Sequence, residues 1–298
     1  MELIFSPRSC PRGESGGRAD YTGGGSMRRT TGWKGILIQC VSLALLFVLA
    51  TICIADVRMP ESGSKTKKNG GLTIDYSHMD EGYVMVKSAK GKKKLKVRVK
   101  MGDTTLTYDL NNKGEFEVFP LQYGNGKYTF SLYKNVSGKK YSEEGKISLT
   151  ADMPDELSAF LYPNQYVNYD TKTAAVKEAE SLCGGMNDQK QIYQAVCDYM
   201  KGHFAYDYIK SVSVKPGQLP DIDDAWNKHM GICQDLSAIM VAMLRSQGVP
   251  ARLMIGTLNE STYHAWVTAV VNGEEQFFDP TAALNAVSNG SYTVERYY

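Results

Sequence analysis

A nearly continuous apolar helix in the C-terminal third constrains this chain more than any other feature. Its apolar residues recur at helical spacing, and neighbours widen the stripe until little of the surface is polar: Ile232, Leu236, Ile239, Met240, Val241, Ala242, Met243 and Leu244. A helix that is apolar on nearly all sides must be buried, so the surrounding chain has to fold around it. Gly248 suits a left-handed C-terminal cap and Pro250 prevents continuation, which sets the end of the helix.

Cys233 lies in the first turn of this predicted helix. Unpaired backbone N–H groups and the positive end of the helix dipole face the sulfur there, and they favour the thiolate, the nucleophilic form of cysteine. Asp235 opposes this effect through its charge. Because aspartate also favours a helix start, we expect Asp235 to turn outward as a capping residue and not to pair with the sulfur.

Three strands are predicted after the helix, over residues 252–256, 264–271 and 276–279. Asn272 and Gly273 stand between the last two and form a signal for a type I′ hairpin turn. The last two strands are therefore expected to pair as an antiparallel hairpin.

The register of this hairpin places a histidine beside an aspartate. With a two-residue turn Val271 faces Glu274, and counting back along both strands Trp266 faces Asp279. His264 is then diagonal to Asp279 on the same face of the sheet. At this diagonal position the Asp279 carboxylate is close enough to orient the imidazole ring of His264.

Four pieces of this region occur together. They are Gly231-Ile232-Cys233, the helix exit at residues 244–251, Tyr263-His264-Ala265-Trp266 and Phe278-Asp279-Pro280. Together they resemble the transglutaminase-like superfamily, in which a cysteine at a helix start is followed by two strands that carry histidine and aspartate. The resemblance covers residues 171–298, and the arrangement is similar to secreted or surface proteins of Gram-positive bacteria. It implies a papain-like α+β domain with Cys233 as nucleophile, His264 as base and Asp279 as the residue that orients the base.

Tyr206 lies in a stretch that resembles the Tyr-Asp segment ahead of the nucleophile in that superfamily. It could donate a hydrogen bond to an oxyanion beside the backbone N–H of Cys233, although a packed core tyrosine fits the same pattern. His203 and His229 are the alternatives to His264 as partner of the cysteine. His229 is only four residues from Cys233, but it precedes the helix start and no predicted neighbour orients it.

Signals for a metal or a cofactor are weak. Asp221, Asp223 and Asp224 lie close together, but Asp-Ile-Asp-Asp lacks the glycine and the distal glutamate of a calcium loop. We expect these aspartates to cap a short helix that runs through Trp226. No cluster of Cys and His has zinc spacing, so we predict activity with no metal and no cofactor.

Cys183 and Cys197 invite a disulfide in an extracellular protein. They belong to two predicted helices, at residues 173–182 and 188–201, which a Gly-Gly turn separates. In an antiparallel pair of these helices the two cysteines are about 13 Å apart along the axis. A disulfide needs Cα atoms within about 7 Å. We expect both to be small buried residues and Cys233 to be the free thiol.

The N-terminal part predicts export. Residues 1–26 are rich in Gly, Arg and Ser, which is typical of a disordered segment or a mis-assigned start, and we expect translation to begin at Met27. Residues 27–58 place three basic residues before an uncharged run at 35–55, the pattern of a signal peptide or of an uncleaved membrane anchor. The upstream positive charge puts the remainder of the chain outside the cell. A buried core helix fits less well, because an uninterrupted apolar run is not amphipathic.

Residues 59–71 have the composition of a linker, and from residue 72 to 150 the chain changes to short β-like runs. Seven runs are predicted, at residues 72–74, 82–89, 95–101, 104–110, 116–121, 128–133 and 146–149. Strands at this spacing predict a small all-β sandwich of immunoglobulin or fibronectin type. Residues 151–170, with prolines among aromatics, are expected to be an ordered connector to the C-terminal domain.

One predicted strand has a basic face. In residues 94–101 apolar side chains alternate with Lys and Arg, so one face is apolar and the other positively charged. The simpler interpretation is that this charged face is exposed to solvent. The more specific interpretation is that it attaches the protein to an anionic cell-wall polymer. The net charge of +2 over 298 residues does not indicate a nucleic-acid partner.

Two classes of function follow from these residues. In the first, an extracellular enzyme attacks an amide carbonyl of a peptide or protein with the Cys233 thiolate. The acyl group then goes to water, as in a protease, or to an amine, as in a transglutaminase. In the second, the same fold is a non-catalytic binding or scaffold module at the cell surface, which fits less well because all three residues of the triad are present. The loops at 210–224 and 257–263 are polar and predict an open cleft, which favours hydrolysis over transfer.

Overall fold

Eight strands form in the first half of the described chain. The computed structural model describes residues 57–288 and 290–298, and the predicted start and export run, residues 1–55, lie outside them. The strands are β1 (Thr66–Asn69), β2 (Leu72–Asp75), β3 (Tyr83–Lys87), β4 (Leu95–Met101), β5 (Thr104–Leu110), β6 (Glu117–Pro120), β7 (Gly126–Ser137) and β8 (Lys140–Ala151). They form two antiparallel sheets with the orders β1-β2-β3-β6 and β5-β4-β7-β8.

Each of the seven predicted β runs contains a strand, and β1 is an addition. It lies in residues 59–71, so that stretch is only partly a linker. All four residues of β1 are exposed and show no apolar alternation from which a strand could be predicted. The strand pairs with β2 across a turn in which Gly70 has φ 54°. The immunoglobulin or fibronectin type of these sheets stays a prediction.

The basic face of β4 is a solvated sheet surface whose charges have partners. Lys96 Nζ lies 2.7 Å from Asp109 Oδ1 on β5, and the Arg98 guanidinium lies 4.9 Å from the centre of the Tyr133 ring on β7. Such cross-strand pairs are ordinary stabilisers of antiparallel sheets. The simpler interpretation accounts for these contacts, and binding of a polymer stays a prediction.

Five helices follow the connector: α1 (Ala174–Cys183), α2 (Gln189–His203), α3 (Tyr208–Ser213), α4 (Ile222–Lys228) and α5 (Cys233–Ser246). Asp221 caps α4 as predicted, because its Oδ1 accepts from the N–H of Asp224 at 3.0 Å. Cys183 and Cys197 are buried free thiols, also as predicted. Within the described ranges no helix is long enough and apolar enough to cross a membrane.

The remaining strands build a third sheet beside α5. The elements are β9 (Ala205–Tyr206), β10 (Met230–Gly231), β11 (Ala251–Leu258), β12 (Thr262–Val271), β13 (Glu274–Phe278), α6 (Pro280–Ala283) and β14 (Tyr292–Tyr297). The sheet has the order β13-β12-β11-β14, while β9 and β10 pair with each other. The predicted hairpin register is confirmed: Val271 faces Glu274, and Asn272 and Gly273 have φ 52° and 85°. Strand β14 is not among the predicted strands.

Helix α5 lies in a hydrophobic core that continues into the two N-terminal sheets. Every residue of α5 from position 235 onward is buried, as its apolar surface predicts. Tyr166 of the connector stacks on Tyr298 with ring centroids 3.6 Å apart, and Tyr108 of β5 meets both rings edge to face. Aromatic contacts therefore join the sheet β5-β4-β7-β8, the connector and the last sheet.

Arg245 closes the C-terminal end of α5. Its side chain is 1% exposed and donates to three backbone carbonyls: Tyr162 O at 2.7 Å, Ala251 O at 2.9 Å and Tyr298 O at 2.9 Å. Burial lowers the pKa of this guanidinium to about 10. One side chain thus ties the connector and two strands of the last sheet to the central helix.

Arg245→Ala is expected to destabilise the protein by about 3–5 kcal/mol, because three buried carbonyls lose their donor and a cavity opens. Urea unfolding followed by circular dichroism measures this. Arg58→Ala, which removes an exposed arginine, is the matched control and should change the free energy of unfolding by less than about 0.5 kcal/mol. Equal effects of the two substitutions would contradict the proposed role of Arg245.

Candidate active site

His264 and Asp279 form a buried pair where β12 and the start of α6 meet. His264 Nε2 lies 2.7 Å from Asp279 Oδ2, and the two residues are 2% and 4% exposed. Asp279 Oδ1 caps α6 by accepting from the N–H groups of Thr281 at 2.9 Å and Ala282 at 3.2 Å. It also accepts from the Thr281 hydroxyl at 2.6 Å. One carboxylate oxygen is therefore held by the helix, and the other is directed at the histidine.

Tyr292 is a second donor to the oxygen that holds the histidine. Its hydroxyl donates to Asp279 Oδ2 at 2.8 Å. Its ring packs edge to face on Trp266 with centroids 5.0 Å apart, and it lies 6.1 Å from the His264 ring. Tyr292 begins β14, so a strand absent from the predicted set completes the surroundings of the pair.

The pKa values of the pair shift in opposite directions. Burial by itself lowers the pKa of His264, but hydrogen bonds to Asp279 and Cys233 and their negative charges outweigh it and raise the pKa to about 9. Burial raises the pKa of Asp279, but the hydrogen bonds that the carboxylate accepts and the positive charge of His264 lower it to about 2. At neutral pH an imidazolium therefore faces a carboxylate.

Tyr292→Phe is expected to lower kcat/KM by about 3- to 10-fold, because the Asp279 oxygen that orients His264 loses one hydrogen bond. The pKa of Asp279 should rise, and the acid limb of the pH–rate profile should move to higher pH. The measurement is a pH profile of kcat/KM. Tyr133→Phe, which removes a hydroxyl that donates to exposed Glu143, is the control. An unchanged profile for Tyr292→Phe would show that the hydroxyl does not act through Asp279.

Cys233 is the first residue of α5 and is partly exposed. Gly231 permits the close turn before it, since a Cβ at Gly231 would come within 2.9 Å of the Asp235 Cβ. The first N–H groups of a helix have no partner within it, so they remain available beside the sulfur. Because Asp279 occupies Nε2 of His264, Nδ1 is the ring nitrogen that remains for a partner such as Cys233.

Asp235 caps α5 as predicted, but it does not turn outward, so that part of the prediction is wrong. It is 0% exposed and caps α5 from the inside by accepting from the N–H of Ile232 at 3.1 Å. Lys210 Nζ lies 2.8 Å from its Oδ2, and the N–H of Asp221 donates to its Oδ1 at 3.2 Å. A buried carboxylate needs such partners, and a lysine from α3 supplies the charge. These contacts tie α3 and the loop before α4 to the start of α5.

A cavity of about 580 Å³ opens at the cysteine. Its walls come from the connector, the loop at 214–218, the start of α5 and strands β11, β12 and β14. Three tyrosines line it, Tyr166, Tyr206 and Tyr263, together with apolar residues. The two predicted loops supply part of the wall, and the connector and the strands supply the rest. That the cleft is open stays a prediction.

Tyr206 lines the same cavity as Cys233. Tyr206 pairs with Gly231 across the parallel strands β9 and β10, directly before the start of α5. Burial raises the pKa of Tyr206, and the negative charge of Cys233 raises it further. Its role as an oxyanion donor stays a prediction.

Neither alternative histidine lies at the cavity. His203 is exposed and stacks on a tyrosine of its own helix with ring centroids 3.9 Å apart. His229 ends α4 in a left-handed conformation with φ 50°. Of the four histidines, His264 is the one whose pKa responds to Cys233. No group of three His, Cys, Asp or Glu among residues 57–288 and 290–298 is arranged to hold a metal.

Several neighbours of the site are not found by the sequence analysis. Thr281 follows Asp279 by two residues, a spacing typical of a helix cap, which would have been a usable signal. The alternation of Tyr292, Val294 and Arg296 is a weak strand signal. Lys210 and Tyr166 reach the site only through tertiary packing, so no local pattern identifies them.

Residues 177–280 match the family model of the transglutaminase-like superfamily, so this part of the chain is a transglutaminase-like domain within a mixed α+β fold. No curated protein matches the chain.

Solved structures that match the chain include a candidate cysteine protease from Cytophaga hutchinsonii, with 16% identity over 78% of this chain and 90% of that one and a TM-score of 0.37. The periplasmic domain of TgpA from Pseudomonas aeruginosa, bound to ethylmercury, has 15% identity over 76% and 78% and a TM-score of 0.35. Red sea bream transglutaminase has 13% identity over 67% and 48% and a TM-score of 0.30. These values are too low to bear on activity or substrate.

Proposed function

We propose that the protein is a cysteine-nucleophile amide hydrolase that acts on peptides through an acyl-enzyme, with Cys233, His264 and Asp279 as its triad. One arrangement carries the proposal: Cys233 begins a buried helix and lines a cavity of substrate size, and a buried histidine that is hydrogen-bonded to a carboxylate has its pKa raised by the charge of this cysteine. The transglutaminase-like domain makes an acyl-transfer enzyme the natural class.

In the proposed mechanism the Cys233 thiolate attacks the amide carbonyl carbon, and the electron pair of the C=O bond moves to oxygen. The first N–H groups of α5, with the Tyr206 hydroxyl, stabilise this oxyanion. The imidazolium of His264, held by Asp279, gives its proton to the leaving amine, and the C–N bond breaks. Neutral His264 then takes a proton from water, which attacks the thioester and releases the acid and the thiolate.

Transfer to an amine is the second candidate, and the tyrosines of the cavity are the observation that favours it. An aromatic wall can exclude water from a thioester. However, a lysine acceptor arrives as a cation, and the same wall contains Lys215 and Arg296. Like charge raises the cost of bringing that amine to the acyl group. We therefore favour hydrolysis.

Location follows from the sequence alone. We propose that residues 27–55 export the chain, by a cleaved signal peptide or an anchor, so that the domain works outside the cell. The basic face of β4 is proposed to hold the enzyme near an anionic wall polymer. Release of the polymer-bound protein by salt would support this attachment.

The test of the proposed function is labelling with iodoacetamide at pH 6, mapped by mass spectrometry. Cys233 should react at least about tenfold faster than a free cysteine peptide. Cys183 and Cys197 are internal controls, because burial raises the pKa of each thiol to about 11 and both should stay unmodified. A Cys233 that reacts no faster than a free thiol would favour the scaffold alternative.

The fate of the acyl group is measured on a peptide that the enzyme cleaves, offered together with dansylcadaverine. Mostly free acid is the expected product. Mostly amine adduct would overturn hydrolysis in favour of transglutaminase chemistry.

A further inference from the structure

Apart from the proposed thiolate of Cys233, the charged side chains that line the active-site cavity are all positive. Lys215 and Arg296 both line it, and none of its described lining residues is Asp or Glu. Arg296 is the more enclosed cation, with its side chain 29% exposed. Its Nη2 donates to the Tyr263 hydroxyl, and the guanidinium lies 5.7 Å from the centre of that ring. Its Nη1 donates to Glu295 Oε2 at 3.4 Å. A guanidinium has five N–H donors, so others remain for a ligand.

A β-bulge in β14 places this arginine opposite Ile255, which also lines the cavity. In the pairing of β14 with β11, Val294 faces Gly256 and Arg296 faces Ile255, so Glu295 is an extra residue. If the strands paired regularly, without the bulge, Glu295 would face Ile255 and a carboxylate would occupy this row of the sheet. Glu295 does not line the cavity, and its Oε2 is 3.4 Å from Arg296 Nη1, a long contact.

Gly256 makes room for the bulge. A Cβ at Gly256 would come within 1.9 Å of the carbonyl oxygen of Thr293, so a larger residue would push β14 away. Gly256 also faces His264 across β11 and β12. The bulge that presents the arginine is therefore built next to the catalytic histidine, where bulges often re-aim a side chain.

We infer, on the basis of the proposed function, that the acyl-donor substrate carries a carboxylate that Arg296 binds, with Lys215 adding to the attraction. A guanidinium binds a carboxylate by two parallel hydrogen bonds, which its remaining N–H donors permit. The carboxylate comes from an acidic side chain or from the C-terminus of a short peptide.

The register sets how far that carboxylate lies from the scissile amide. Arg296, Ile255 and Ala265 stand in one cross-strand row, and all three line the cavity. Two strand spacings separate the Cα atoms of Arg296 and Ala265 by about 9–10 Å. Ala265 directly follows His264 in β12, so this row lies next to a residue of the proposed triad. An extended peptide advances about 3.3–3.6 Å per residue, so a carboxylate held by Arg296 lies within about three residues of the scissile amide.

The first experiment does not need turnover. It compares the rates at which Cys233 of the full chain reacts with iodoacetate, an anion, and iodoacetamide, its neutral analogue. Arg296→Gln should lower the iodoacetate-to-iodoacetamide rate ratio by roughly fivefold, while Arg296→Lys keeps most of it. Arg58→Gln removes one positive charge from an exposed position outside the cavity and is the control. An unchanged ratio in Arg296→Gln would overturn the inference, whatever the enzyme hydrolyses.

The second experiment uses peptides in matched pairs: Glu against Gln within three residues of the cleaved bond, and a free C-terminal carboxylate against its amide. The pair with the larger preference identifies the source of the carboxylate. For the preferred acidic member, kcat/KM should exceed that of its neutral partner by at least about tenfold, and Arg296→Gln should remove most of the difference. Equal cleavage within both pairs overturns the inference and leaves hydrolysis standing. Cleavage of no peptide, with slow labelling of Cys233, counts against the proposed function, and the rate ratio still decides the charge of the cavity.

Discussion

Cys233→Ala is expected to abolish covalent labelling at pH 6 and to lower peptide hydrolysis by at least about 10⁴-fold, because the substitution removes the atom that forms the acyl-enzyme. The residual rate should come from binding and from the oxyanion donors alone. The fold should persist, since Cys233 is partly exposed at the start of α5 and its loss opens no deep cavity. Steady-state kinetics and mass spectrometry of the trapped thioester measure both effects.

Cys197→Ala is the matched control. This thiol is buried in α2, away from the cavity, and burial raises its pKa to about 11. Its loss should cost stability but keep kcat within about twofold. A Cys233→Ala protein with full activity would refute the enzyme proposal. Loss of activity in both variants would indicate a folding defect rather than loss of a nucleophile, and unfolding curves would separate the two cases.

Asp279→Asn is expected to lower kcat by about 10³- to 10⁴-fold while the domain stays folded. Asparagine keeps an oxygen that can cap α6 through Thr281 and Ala282. It removes the negative charge that faces Nε2 of His264, so the ring loses both its orientation and the stabilisation of its protonated form. Asp188→Asn alters another helix-capping aspartate, at the start of α2, and should leave kcat unchanged. Equal kcat for Asp279→Asn and the native chain would remove Asp279 from the mechanism.

The same pair predicts how stability depends on pH. The pKa of Asp279 is lowered from 3.8 to about 2, so its contribution is present above about pH 4 and is lost as the pH falls towards 2. The pKa of His264 is raised from 6.5 to about 9, so its contribution is present below about pH 6.5 and is lost as the pH rises through 9. The free energy of unfolding should therefore be highest between about pH 4 and 6.5.

In Asp279→Asn this dependence should become flatter. The carboxylate no longer raises the pKa of His264, and burial acts in the opposite direction. Urea unfolding at several pH values measures the change. An unaltered pH dependence in Asp279→Asn would show that the pair does not contribute to stability as its contacts imply.

Local patterns in the sequence were sufficient for the elements that carry the central residues. The apolar stripe predicted α5 and with it the position of Cys233, because a buried helix shows its period directly in the sequence. The Asn272-Gly273 turn determined the register of β12 against β13, because these two residues, both with positive φ, are the whole connection between the strands. Together they predicted that His264 and Asp279 meet, which the 2.7 Å contact shows.

Tertiary structure alone decided the surroundings of these residues. Asp235 turned inward because Lys210 from α3 supplies the opposite charge that a buried carboxylate needs. Tyr292 and Arg296 reach the site on β14, whose pairing with β11 includes a bulge at Glu295 that no local pattern encodes. The charge and the aromatic wall of the cavity come from segments far apart in the chain. Short-range periodicity determines which elements form, whereas the partners of a buried charge and the lining of a cavity depend on which of those elements pack together.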